Sequence, residues 1–174
     1  MSAPADIAAR LGIGEGELCV RTAYEFLADG RPVQLSTSWE PYDLTAGTLV
    51  VLPEGGPHAG AGVVNRMAAI GITTSHAVEQ LEPRQVNAEE ASLLGIQKAA
   101  LVTHIRRTYY SDEGRPVETA DIACQPLIAR SSTRFRSTGS AASRESTPWP
   151  IGARKYGAGE AFKFRAHAST STRP

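Results

Sequence analysis

Apolar and polar positions alternate along much of the first two thirds of this 174-residue chain. Within Glu17–Leu27, Leu18, Val20, Tyr24 and Phe26 alternate with Cys19, Arg21, Ala23 and Glu25. That period of two is what a half-buried strand requires. Asp29-Gly30 then supplies a hairpin turn, and Val33–Trp39 reads as the returning strand. Ahead of the hairpin, Pro4–Leu11 sets Ile7, Ala8 and Leu11 on one helical face, with Gly12 as the stop. The same order then returns. Asn87–Leu94 reads as a helix, with Glu90 three residues after Asn87 at capping-box spacing. Ala100–Tyr110 follows as a strand, Ser111–Gly114 as a turn and Arg115–Cys124 as another strand. Leu94-Gly95-Ile96 repeats Leu11-Gly12-Ile13, and Gly114-Arg-Pro-Val117 repeats Gly30-Arg-Pro-Val33 one residue out of register. A helix–strand–turn–strand unit present twice predicts a duplication. Neither hairpin can bury its apolar face alone, so the two should join in one antiparallel sheet.

Between the units, Pro41–Gly60 is rich in Pro and Gly and reads as a loop. Val63–Ile70 reads as a helix stopped by Gly71, and Ile72–Val86 as a broad strand holding His76, Glu79 and Glu82. From Gln125 the pattern ends, and Ser, Thr, Arg, Gly and Ala dominate. Residues 1–124 therefore read as the folded unit. Residues 125–174 read as a disordered tail, too poor in apolar residues to offset its ordering entropy. Trp149, Tyr156, Phe162 and Phe164 are the side chains in it able to dock locally.

Composition adds three points. The chain is 41% hydrophobic with a mean hydropathy of −0.22, which fits a soluble cytoplasmic protein. It has no apolar run near the roughly 20 residues of a membrane span, and no secretory leader. Cys19 and Cys124 stand alone, so two reduced thiols are expected rather than a metal or disulfide framework, and no cofactor is implied. The net charge of zero hides a split. Residues 1–124 carry 9 basic and 16 acidic side chains; residues 125–174 carry 9 and 2.

Three pieces carry a resemblance: LGIGEGELCVRTAYEFLADGRPVQLSTSW, GPHAGAGVVNRMAAIG and LGIQKAALVTHIRRTYYSDEGRPVETADI. In that order, over roughly residues 4–124, they resemble the UTRA domain, the ligand-sensing part of GntR-type transcription regulators of the HutC branch. The resemblance implies an α+β, chorismate-lyase-like fold, an antiparallel sheet of about six strands flanked by helices. It implies a homodimer that binds a small effector and modulates DNA binding through a winged helix-turn-helix. That DNA reader is expected to be missing, since the chain begins almost at the sensor's first helix. It also implies a non-enzyme, with a chorismate-lyase-like enzyme or a truncated, ligand-free dimerisation module as the alternatives. In the family, another strand follows the last hairpin. The change of composition and charge at Gln125 suggests a sequence altered downstream, for instance by a frameshift, leaving the sheet short of an edge strand.

The resemblance further implies that a sugar phosphate or small organic acid sits over the sheet. Arg21 matches a basic position of the first strand, while Ala23 replaces a second. Ser36 falls where relatives carry Glu, and Ser38 shares its strand face. Gly60, Ala61 and Gly62 precede a helix and would let a ligand approach backbone N–H groups. The lack of a Ser there counts against phosphate. Glu118 matches a carboxylate after Pro-Val, and a buried carboxylate needs a partner, for which His104 or Arg106 on the paired strand are candidates. Thr119 and Asp121 are lesser candidates, His58 reads as a loop residue, and Tyr24 with Tyr109 or Tyr110 could form an aromatic wall. Each has a plainer alternative. For Arg21 it is a solvated charge, for Glu118 with Arg106 an internal salt bridge, for the glycines a flexible loop, and for the tyrosines core packing.

Overall fold

A computed structural model describes residues 1–125 and, as backbone, residues 163–167. The alternating segments all become strands of one antiparallel sheet. Helix α1 (Ala5–Leu11) leads into β1 (Cys19–Ala28) and β2 (Arg31–Pro41), while α4 (Ala88–Leu94) leads into β4 (Leu101–Ser111) and β5 (Pro116–Cys124). Between the units lie α2 (Tyr42–Thr45), α3 (Gly62–Ala69) and β3 (Thr74–Gln85). The expected loop Pro41–Gly60 thus holds α2 and a 3-10 turn at Gly56–His58. The last strand is β6 (Lys163–His167), and the sheet order is β3-β4-β5-β2-β1-β6.

The duplication is visible in detail. Both helices end on a left-handed glycine, Gly12 at φ 65° and ψ 30° and Gly95 at φ 64° and ψ 33°. Both then return the same two bonds, Gly12 and Ile13 to Ala9 and Ala8, Gly95 and Ile96 to Ser92 and Ala91. Each hairpin carries a register shift at the equivalent place, between Phe26 and Leu27 and between Tyr109 and Tyr110. Past that point the second turn is one residue longer, which explains the offset between the two tetrapeptide matches.

The hairpins meet through β2 and β5. Each helix then crosses to the other unit, α1 onto β5 and α4 onto β2. Ala3, Ile7, Ala8, Leu11, Cys19 and Trp39 form one buried cluster, and Val86, Ala91, Leu94, Val102 and Ala123 another. Arg10 of α1 fixes the crossing with a two-pronged bond to Asp121 of β5, at 2.9 and 3.1 Å. Cys19 and Cys124 are both free thiols. No helix among the described residues is long and apolar enough to cross a membrane.

Most of the tail lies outside the described residues, including Trp149, Tyr156 and Phe162. The exception changes the expectation of a missing edge strand. Lys163–His167 pairs antiparallel with β1, placing Phe164 opposite Phe26. A ladder needs only backbone donors and acceptors in extended conformation, so an edge strand can form without an apolar period of its own.

The capping box expected at Asn87 is complete, with Glu90 N–H donating to Asn87 Oδ1 at 2.8 Å and Asn87 N–H to Glu90 Oε2 at 3.1 Å. Asn87→Ala should therefore lower stability by about 1 kcal/mol, read as a shifted urea midpoint at unchanged slope.

Candidate functional site

Strand alternation sends every second side chain of the sheet away from α1 and α4. On that far face β1 presents Tyr24 and Phe26, β2 presents Ser36 and Ser38, β4 presents Arg107 and Tyr109, and β5 presents Glu118. The segment into α3 lies over them with Glu54, Gly60, Ala61, Gly62 and Val63, bounding a half-open cavity of about 340 Å³. Gly60 and Gly62 hold φ of 71° and 73°, a left-handed backbone that disfavours side chains and keeps this cover bare.

Beside the cavity lies a buried ion pair. Arg66 of α3 and Glu40 of β2 are each 1% exposed and meet in a fork, Nη1 to Oε1 at 2.5 Å and Nη2 to Oε2 at 3.0 Å. Arg66 Nη2 also donates to the Val50 carbonyl. One side chain thereby fastens α3, the end of β2 and the intervening loop. Burial raises the Glu40 pKa, while the hydrogen bond and charge of Arg66 oppose it.

Glu118 has no such partner. It is 7% exposed and makes no hydrogen bond or ion pair with a described residue. Burial, reinforced by the Glu40 carboxylate, pushes its pKa up to about 8, against the pull of Arg107 and Arg66. Tyr24 is raised as well, by burial first and then by Glu54, Glu118 and Glu40, so its phenol stays protonated. Arg107 is held over the Tyr109 ring at 4.9 Å, and its Nη1 lies 3.9 Å from Glu79. Among the described residues no three His, Cys, Asp or Glu side chains gather as a metal site.

Six of the nine residues singled out from the sequence line this cavity: Ser36, Ser38, Gly60, Ala61, Gly62 and Glu118. The other three do not. Arg21 and His104 line a second hollow of about 360 Å³ under α4, and Arg106 lines neither. The expected partnership of Glu118 with His104 or Arg106 is therefore incorrect. Even-numbered β4 residues face the helices, where His104 meets Glu82 at 3.1 Å and Arg106 reaches the same carboxylate at 3.4 Å. Arg107 is the basic β4 residue on Glu118's face. Of the lesser candidates, Asp121 is taken by Arg10 and Thr119 bonds Thr108 at 2.8 Å. Tyr109 joins the cavity, while Tyr110 stacks on His76 at 5.0 Å.

Both hollows leave polar groups unmatched, Trp39 Nε1 under α4 and, across the sheet, Arg107 Nε and the Glu118 carboxyl, but the charged groups are distributed differently. Under α4, Arg84 is bound to Glu90 at 2.6 and 2.7 Å, His104 to Glu82 and Asp121 to Arg10. Across the sheet, the buried carboxyl of Glu118 is unmatched. The Glu118 carboxyl has no protein partner and its oxygens keep access to the cavity space.

A family model for the UTRA domain matches residues 1–126. This chain belongs to the UTRA domain family. It is 33% identical over 116 residues to the HTH-type transcriptional repressor NagR of Bacillus subtilis, covering 66% of this chain and 45% of that protein. It is 29% identical over 120 residues to an HTH-type transcriptional regulator of Streptomyces coelicolor, covering 69% and 45%. Among solved structures, a GntR-family transcriptional regulator superposes with a TM-score of 0.70 at 45% identity, over 72% of this chain and 51% of that one. The effector domain of PhnF from Mycobacterium smegmatis shares the fold, with a TM-score of 0.63 at 21% identity, over 74% and 76%. The UTRA domain described here spans 45% of the length of the curated relatives it matches.

Two outcomes follow from the buried charges. Arg66→Met leaves Glu40 buried alone and should cost about 3–5 kcal/mol, whereas the double change Glu40→Met with Arg66→Met should cost clearly less, both read by denaturant titration. The second concerns pH. Glu118 is protonated up to about pH 8 in the fold but ionises near its usual 4.5 when unfolded, so between those values the folded state holds the extra proton. Stability contributed at this position falls as pH rises through that window and is level above it. Glu118→Gln should remove the fall. The variant should match the parent near pH 4 and exceed it near pH 8 by something on the order of a few kcal/mol in pH-resolved denaturation.

Proposed function

We propose that this UTRA domain is the effector sensor of a GntR-family transcription regulator, working as a homodimer and binding a small molecule between the far sheet face and α3. The observation that carries this reading is the unpartnered Glu118 at the wall of a cavity large enough for a small molecule. The ligand contacts are Ser36, Ser38 and Glu118 from the sheet, with the backbone of Gly60, Ala61 and Gly62 opposite. Arg107, Tyr109, Tyr24 and Phe26 join them, and Arg21, His104 and Arg106 drop out. The chain senses rather than catalyses, in keeping with relatives that are transcription regulators. An effector wedged between sheet and cover would bias the position of α3, and through it the affinity of an attached DNA-binding domain.

A thermal-shift screen of sugar phosphates, organic acids, amines and amino acids is the direct test. The expected result is a ligand whose shift is lost in Ser38→Phe, which fills the cavity, and reduced in Glu118→Gln. A ligand whose shift persists in both variants but disappears in Arg21→Ala would move the site to the hollow under α4 and overturn the assignment.

A further inference from the structure

We propose that the cavity takes a small zwitterion with an α-amino-acid-like head, its ammonium meeting Glu118 and its carboxylate Arg107; this rests on the cavity being the effector site.

The case begins with an acid and a base that lack hydrogen-bond partners: Glu118, neutral in the empty cavity and ionised when a cation enters beside it, and Arg107. Glu118 is an acceptor with no donor. Arg107 is a donor with no acceptor, for its guanidinium makes no hydrogen bond to a described residue and its buried Nε is unmatched. Its nearest carboxylate, Glu79, is 44% exposed and 3.9 Å away, a pairing that water and salt weaken. The two groups do not satisfy each other, since no Arg107 nitrogen comes within 4.0 Å of the Glu118 oxygens.

Sheet geometry sets their spacing. Tyr109 lies directly opposite Glu118 and Arg107 opposite Ala120, so Glu118 and Arg107 are diagonal cross-strand neighbours. Such positions lie about 7–8 Å apart, room for a head that offers a donor to one and an acceptor to the other. A ligand of a single charge would satisfy one and leave the other buried and unmatched. A phosphate would also lie close to Glu54 and Glu118. The remaining walls fit an apolar body. The Tyr24 and Phe26 rings sit 6.1 Å apart, with Tyr109 across the sheet, and the volume of about 340 Å³ suits a small metabolite.

Isothermal titration of the full chain with L-phenylalanine, phenethylamine and 3-phenylpropionate separates the charges on one aromatic body. L-Phenylalanine should bind, and each single-charge analogue should bind at least about tenfold more weakly. Glu118→Gln should erase the advantage of L-phenylalanine over 3-phenylpropionate. Arg107→Met should erase its advantage over phenethylamine, with circular dichroism confirming that both variants fold. If either analogue binds as tightly as L-phenylalanine, or none of the three binds, the zwitterion assignment is overturned. If an analogue wins but is excluded by Ser38→Phe, the cavity remains the effector site and only the ligand class falls. Binding of L-phenylalanine that survives Ser38→Phe would overturn both.

Discussion

The ladder between β2 and β5, from Gln34 opposite Cys124 to Trp39 opposite Thr119, is the joint on which everything else rests. It turns two separate hairpins into one sheet, and its register assigns both faces at once. Leu35, Trp39, Asp121 and Ala123 go to the helices, while Ser36, Ser38, Glu118 and Ala120 go to the cavity. A slip of one residue would exchange the two sets, placing Glu118 among the apolar residues of the helix face. The crossed helices resist such a slip. α1 contacts β5 and α4 contacts β2, so each helix also packs against the inner strand of the opposite unit.

The same register crowds two acids. One step beyond the Trp39–Thr119 pair, Glu40 and Glu118 fall on neighbouring positions of the cavity face. One arginine, Arg66, serves them, and its fork is spent on Glu40 while its remaining donor goes to the Val50 carbonyl. Burial of a carboxylate is tolerable when two aligned N–H groups meet it, and costly when none does. Glu40 accordingly fixes structure, and Glu118 stays protonated at neutral pH and open to a ligand. The division of labour between two identical side chains comes from which one Arg66 can reach.

Much of this was legible in the sequence, and the parts that were not share a cause. The helix stops at Gly12 and Gly95, the capping box and the alternating strands are local signals, fixed within a few residues of chain. Ser36 and Glu118 are chosen by matching the family pattern, and alternation along β2 then adds Ser38 on the face of Ser36. The partner of Glu118 was misassigned because it depends on the β4–β5 register, and the doublet Arg106-Arg107 puts one arginine on each face whichever register holds. The period alone cannot say which. Arg66 and Glu40 left no signal at all. A charged residue on a short helix looks solvent-facing until the loop that folds it inward is known. Lys163–His167 was missed because an edge strand recruited by a neighbour's backbone requires no pattern of its own.

The cavity is polarised because the two matched units bring different side chains to equivalent positions. Matching the two units places Phe26 with Tyr109, Tyr24 with Arg107, and Gln34 with Glu118, following the shared register shift. The floor is therefore built from equivalent positions around a pseudo-two-fold axis that runs between β2 and β5. A perfect repeat would give a floor with the same chemistry at both ends. Here the first unit supplies rings and hydroxyls, through Tyr24, Phe26, Ser36 and Ser38, and the second supplies an acid and a base, through Glu118 and Arg107. An occupant cannot lie equally well in two directions on such a floor. For the proposed zwitterion the polar head goes over β4 and β5 and the body over β1 and β2, beneath α3, which Arg66 holds in place.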